Sequence, residues 1–167
     1  MKLLLLFGCS LPVALLAQQV DVEFDQGAPF SDYRTFAIRE GRLNSKNPTL
    51  NSELTRKHIE AEIRKHLAEK GLHEALDRPD LNIAFVLGTQ RKVETEVYPA
   101  GWRGFGRRVV RVPYAEGTLV INLRDTKRKE LVWRSVAVVD KADAMKLQSK
   151  LDDLVKKSID KYPPKLK

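Results

Sequence analysis

The hydrophobic and polar positions fall into a short series of strand-like and helix-like periods. Val20-Asp21-Val22-Glu23-Phe24 alternates with period two, as a half-buried strand does. The turn letters of Asp25 to Pro29 follow, and Tyr33 to Ile38 reads as a second short strand with β-branched and aromatic residues. Gly41 to Pro48 reads as a polar loop. Leu54, Ile59, Ile63 and Leu67 then recur at helical spacing behind a cap at Asn51 or Ser52, and Gly71 marks the stop. After Arg78-Pro79-Asp80, Leu81 to Leu87 is a strongly apolar strand, and Thr89 to Val97 keeps strand character through Val93, Thr95 and Val97. Tyr98 to Arg108 is rich in Gly, aromatics and Arg and reads as a long hairpin loop. Ala115 to Leu123 and Glu130 to Val139 are joined by the charged turn Thr126 to Lys129, which predicts an antiparallel hairpin. A last helix starts at Asp143, with Ala144, Leu147, Leu151, Leu154, Val155 and Ile159 inward, and ends at Tyr162-Pro163-Pro164.

The order of strands and helices is not a one-for-one alternation. It predicts an α+β fold: two layers, a mainly antiparallel sheet with two helices packed on one face. No repeat or linker divides residues 18–167, which read as a single domain.

The first seventeen residues stand apart from these periods. Lys2 precedes Leu3 to Phe7 and Leu11 to Ala17, and the sequence turns polar at Gln18-Gln19, as at the end of a cleaved secretory signal. Cys9, in Leu6-Phe7-Gly8-Cys9, sits in a lipobox-like setting. Lipidation there would leave only Leu3 to Phe7 as apolar core, shorter than the roughly 7–15 residues such a region needs. Cleavage after Ala17 is therefore the reading taken. It removes the only cysteine of the 167 residues and lowers the formal charge from +8 to +7. A thiol-free, basic product suits a periplasmic or outer-envelope location.

Four stretches, in order along the chain, resemble a domain-of-unknown-function family of bacterial envelope proteins, many of them lipoproteins. They are Phe30-Ser31-Asp32-Tyr33-Arg34-Thr35-Phe36; Leu67 to Leu72 with Pro79-Asp80-Leu81; Glu116 to Leu123; and Leu131-Val132-Trp133-Arg134 with Tyr162-Pro163-Pro164. The resemblance implies an envelope location and this α+β arrangement. It brings no activity, catalytic residue or cofactor.

Composition narrows the chemistry. With 43% hydrophobic and 31% charged residues, the chain can bury a core. His58 and His66 are eight residues apart on one helix, about 12 Å along its axis, too far for one ion to bridge. Ser31, Ser135 and Ser158 lie in no nucleophile elbow, and Gly101-x-x-Gly104-x-Gly106 neither opens a helix nor ends in Lys-Ser/Thr. No catalytic residue, metal ligand or cofactor is expected, and the protein is read as non-enzymatic. The candidate site is the surface loop bearing Tyr98, Trp102, Arg103, Phe105, Arg107 and Arg108. Aromatics interleaved with arginines can insert at a lipid interface or anchor a partner. The basic sign favours an anionic membrane surface, an acidic polymer or an envelope protein, and export removes nucleic acid from reach. The function expected is an interaction or accessory domain. A lipid- or small-ligand-binding module, with a groove between helices and sheet or beneath the loop, is the alternative, and an unrecognised enzyme the third reading.

Overall fold

The computed structural model describes residues 18–45, 47–100, 106–139 and 144–165, apart from the side chains at 18, 90–100, 106–116 and 144–146. The elements are β1 (Gln18–Phe24), β2 (Thr35–Asn44), α1 (Glu53–Glu69), β3 (His73–Glu74), β4 (Leu81–Ala100), β5 (Gly106–Asp125), β6 (Leu131–Val139), α2 (Ala144–Ser149) and α3 (Leu151–Asp160). The strands form one sheet in the order β1-β6-β5-β4-β2-β3. The three pairings from β1 to β4 are antiparallel, whereas β2 runs parallel to both β4 and β3. The α+β two-layer arrangement expected from the pattern is the one observed.

Alternation along β4, β5 and β6 decides which side is covered. Leu81, Ile83, Phe85 and Leu87, with Leu119, Ile121 and Leu123, are fully buried, and so is Trp133 on β6. They join Ile59, Ile63 and Leu67 of α1 and Leu154, Val155 and Ile159 of α3 in one apolar cluster. Side chains of Leu, Ile and Val at zero exposure contribute roughly 1.5–3 kcal/mol each. This seam between helices and sheet is what holds the layers together.

Local rules place the elements. Ser52 Oγ accepts from Thr55 N at 3.1 Å and caps α1. Gly71 adopts φ +85° just beyond the helix end, a conformation glycine takes without strain. Gly117, which reads as a bulge or close approach, is a close approach: a Cβ there would lie 2.6 Å from Leu147 of α2.

Several details differ from the expectation. Gly41 to Asn44 is strand, because β4 pairs with it through Asn44–Gly88 and a bulge at Arg39 keeps Gly41 and Leu43 on the covered side. Leu54 is 78% exposed, and Thr55 takes the inward place in phase with Ile59 and Ile63. The last helix is two helices broken at Lys150. Its expected start, Asp143, lies outside the described residues.

Candidate functional site

The loop expected over Tyr98 to Arg108 is narrower than its composition suggests, since β4 runs to Ala100 and β5 starts at Gly106. The third-strand partners stop much earlier, β2 at Asn44–Gly88 and β6 at Gly117–Val139. From Arg91–Ala115 out to Ala100–Gly106 the two strands pair only with each other among the described residues. This makes a two-stranded ribbon of about ten residues, roughly 33 Å long at ~3.3 Å per residue. Tyr98 is in register with Arg108, and Arg107 with Pro99, so the backbones of three candidate residues meet near the ribbon's far end. Trp102, Arg103 and Phe105 lie outside the described residues.

At the opposite end of the sheet a polar network ties strand termini together. Asp125, only 5% exposed, accepts from Tyr33 OH at 2.8 Å and from the backbone N–H groups of Lys127 and Arg128 at 2.8 and 2.9 Å. Arg128 bridges to Asp25 at 2.9 Å and Glu130 at 2.7 Å. One oxygen of Asp80 accepts from Arg34 N and Thr35 N at 3.0 Å and from Thr35 Oγ1 at 2.9 Å. The carboxyls of Asp25, Asp80 and Asp125 are held below the usual range. For Asp80 the leading cause is the backbone N–H of Arg34, and for Asp25 that of Gly27. For Asp125, burial opposes ionisation, and the N–H groups of Arg128 and Lys127 with the Tyr33 hydroxyl outweigh it. Burial, and then the Asp125 carboxylate, push the Tyr33 phenol well above its usual value. A proton-transfer group works best with its pKa near the operating pH, and these groups are displaced away from it in both directions. Their contacts tie together the turns at this end of the sheet. Beside them, Glu23, Phe24, Asp25, Leu131, Val132 and Trp133 line an open cleft of about 250 Å³.

The histidines do separate jobs. His58 Nε2 meets Asp152 at 2.5 Å and links α1 to α3. His66 is buried, with Glu69 at 2.8 Å and Glu62 at 3.3 Å on its two ring nitrogens. His73 is exposed on β3. Among the described residues no group of three His, Cys, Asp or Glu could hold a metal ion, and no helix is long and apolar enough to cross a membrane.

A second polar feature was not visible in the pattern. Trp133 Nε1, Ser135 Oγ, Ser158 Oγ and Tyr162 OH are buried with no hydrogen-bond partner among the described residues. The rings of Trp133 and Tyr162 meet edge to face at 5.9 Å, and burial pushes the Tyr162 phenol up to about 12. An unmatched buried hydroxyl costs about 1–3 kcal/mol. Tyr162→Phe keeps the ring contacts and removes the hydroxyl, so it should raise stability by about 1 kcal/mol in urea denaturation. A loss of that size would show instead that the hydroxyl holds a buried water.

The comparisons with known proteins fit this architecture. A family model described as "Domain of unknown function (DUF4136)" matches residues 20–164. No curated protein matches the chain. Among solved structures, a PDZ domain protein from Parabacteroides distasonis superposes with a TM-score of 0.60 at 17% identity, over 89% of this chain and 36% of that one. The chain thus spans about a third of that protein's length. The PelC dodecamer from Paraburkholderia phytofirmans superposes with a TM-score of 0.52 at 11% identity, over 84% of this chain and 96% of that one. At these identities the likeness is one of fold.

Proposed function

Because the chain belongs to DUF4136, a family described only as a domain of unknown function, we propose on the evidence of its own residues that it is an exported, envelope-associated interaction domain. In this reading it engages an anionic membrane surface through the tip of the β4–β5 ribbon. The observation that carries it is the placement of the N-terminus. Gln18 pairs with Val139, and Val139 pairs with Gly117, where β5 enters the ribbon. The start of β1, which a leader ending at Ala17 would join, and the base of the ribbon therefore lie at the same end of the sheet. Cleavage after Ala17 would leave every pair of β1, from Gln18 to Phe24, in place.

Two further points support a surface role. The seam between helices and sheet is filled by side chains at zero exposure, which disfavours a lipid or ligand held between the layers. The open cleft of about 250 Å³ falls below the ~300–1,000 Å³ of usual ligand pockets. The carboxylates of Asp80 and Asp125 are occupied by backbone N–H groups.

The test is vesicle flotation with the double variant Trp102→Ala/Phe105→Ala. Inserted aromatic rings contribute about 1.5–3 kcal/mol each. Binding to phosphatidylglycerol-containing vesicles should fall at least about tenfold, with the melting temperature little changed. Unchanged binding, or a melting drop of many degrees that marks the rings as core, would overturn the reading.

A further inference from the structure

Helices α1, α2 and α3 pack on one face of the sheet, and the other face carries an apolar centre with charged margins. One row crosses five strands on that face. Arg42 on β2 is opposite Val86 on β4, Val86 opposite Val120 on β5, Val120 opposite Val136 on β6, and Val136 opposite Asp21 on β1. The row above it reads Asn44, Gly88, Thr118, Val138 and Gln19, and the row below reads Glu40, Ala84, Asn122, Arg134 and Glu23. The valines, Ala84 and Thr118 are only half-buried, whereas Arg42 and Asp21 are exposed. The β1 margin thus carries Asp21 and Glu23, with Arg134 of β6 opposite Glu23, and the β2 margin carries Arg39 and Arg42 around Glu40.

We propose that this face binds a second copy of the chain, stacked sheet on sheet about a two-fold axis running along β5. Such an axis preserves strand direction and reverses strand order. It lays Asp21 of one copy over Arg42 of the other at both margins, Val86 over Val136, and Val120 over Val120. The row Arg-Val-Val-Val-Asp is its own complement under this operation, as an isologous interface requires. That symmetry is what selects a second copy over an unrelated partner. The row below brings Glu40 towards Glu23, but Arg42 already pairs with Glu40 and Arg134 stands opposite Glu23 within each chain. Packed sheets sit ~10 Å apart at about 30°, which accommodates valine on both faces.

Five strands at ~4.8 Å spacing and three rows along them give a footprint of roughly 20 × 20 Å, about 400 Å² per copy. Stable interfaces bury nearer ~800 Å² per partner. The dimer is therefore reversible and concentration-dependent.

The experiment is sedimentation equilibrium over a concentration series, with far-UV circular dichroism to confirm folding of each variant. The wild-type mass should rise towards twice the monomer. Asp21→Arg and Arg42→Asp each set like charges face to face and should weaken association at least about tenfold. The double variant, with the pair reversed, should recover it. Asp21 and Arg42 of one chain are separated by three intervening strands, so recovery cannot come from an intrachain contact. Val120→Arg should give a monomer. A wild-type monomer at every concentration, a dimer indifferent to Val120→Arg or to the single charge changes, or a double variant as weak as the singles would each overturn the proposal.

Discussion

Asp125→Ala is expected to lower folding stability by about 3–4 kcal/mol in urea denaturation at neutral pH. The substitution leaves the buried Tyr33 hydroxyl and two backbone N–H groups without their acceptor. An orphaned buried donor costs about 1–3 kcal/mol, and bonds to a charged acceptor lie at the upper end. The Lys127 and Arg128 N–H groups lie in an exposed turn where water replaces part of the loss, which keeps the total from tripling. Asp125→Asn retains one carbonyl oxygen for the turn and should cost about half as much. The pH dependence follows from the same contacts. The native carboxyl is depressed, so its contribution is fully present above about pH 4, where the unfolded carboxyl is ionised. It is lost as pH falls through the native value. Asp80 and Asp25 are depressed as well and add to this acid limb. Wild type should therefore lose stability more steeply below pH 4 than Asp125→Asn. A loss under about 1 kcal/mol for Asp125→Ala would show that the carboxylate does not hold the turn.

The elements that were legible in the sequence are those whose local period and tertiary burial agree. β1, the first half of β4 and β6 alternate because helices cover one side only. Ser52 caps α1 with the chemistry its letters suggest. The departures have specific causes. Leu54 stands five residues before Ile59 and falls off the inward stripe, while Thr55, four residues before it, falls on it. Gly41 and Asn44 are turn-forming letters around a charged Arg42, and only their pairing with β4, some forty residues on, makes them strand. That pairing is parallel and crosses over through α1, a relation period-two patterning does not encode. The Gly-Arg-aromatic composition around residue 101 masked the register that continues to Ala100–Gly106. The polar network was legible only in its local half. Asp125 before Thr126-Lys127-Arg128 is an Asx-turn signal, but its partner Tyr33 is 92 residues away and arrives only when β5 and the chain leading into β2 are set side by side. The open sheet face was hidden for a related reason. Each strand shows its outward valines as ordinary alternation, and only the assembled register lines them up between Arg42 and Asp21.

Gly41 is where register and packing conflict most sharply with a generic strand, and Gly41→Val is expected to destabilise by about 2–4 kcal/mol. A branched residue in a strand would ordinarily gain up to ~1 kcal/mol over glycine. Here a Cβ would stand 2.4 Å from Cζ and 2.6 Å from Cε1 of Phe85, the residue in register with Gly41 on β4. Real contacts of that kind do not occur, so the ring or β2 must move. Phe85 is fully buried in the cluster it shares with Ile59 and Ile63 of α1, and a ring there cannot retreat without displacing the helix. Overpacking of this kind costs about 1–3 kcal/mol, and the two added methyl groups place it at the upper end, so strain outweighs propensity. Phe85→Leu alone should cost about 1–1.5 kcal/mol through the space it leaves. In the Gly41→Val background the same change relieves the clash and should recover part of the loss, with a coupling above about 1 kcal/mol in a double-mutant cycle. Additive losses, or a Gly41→Val protein more stable than wild type, would mean that the ring swings away freely and that glycine is not required beneath it.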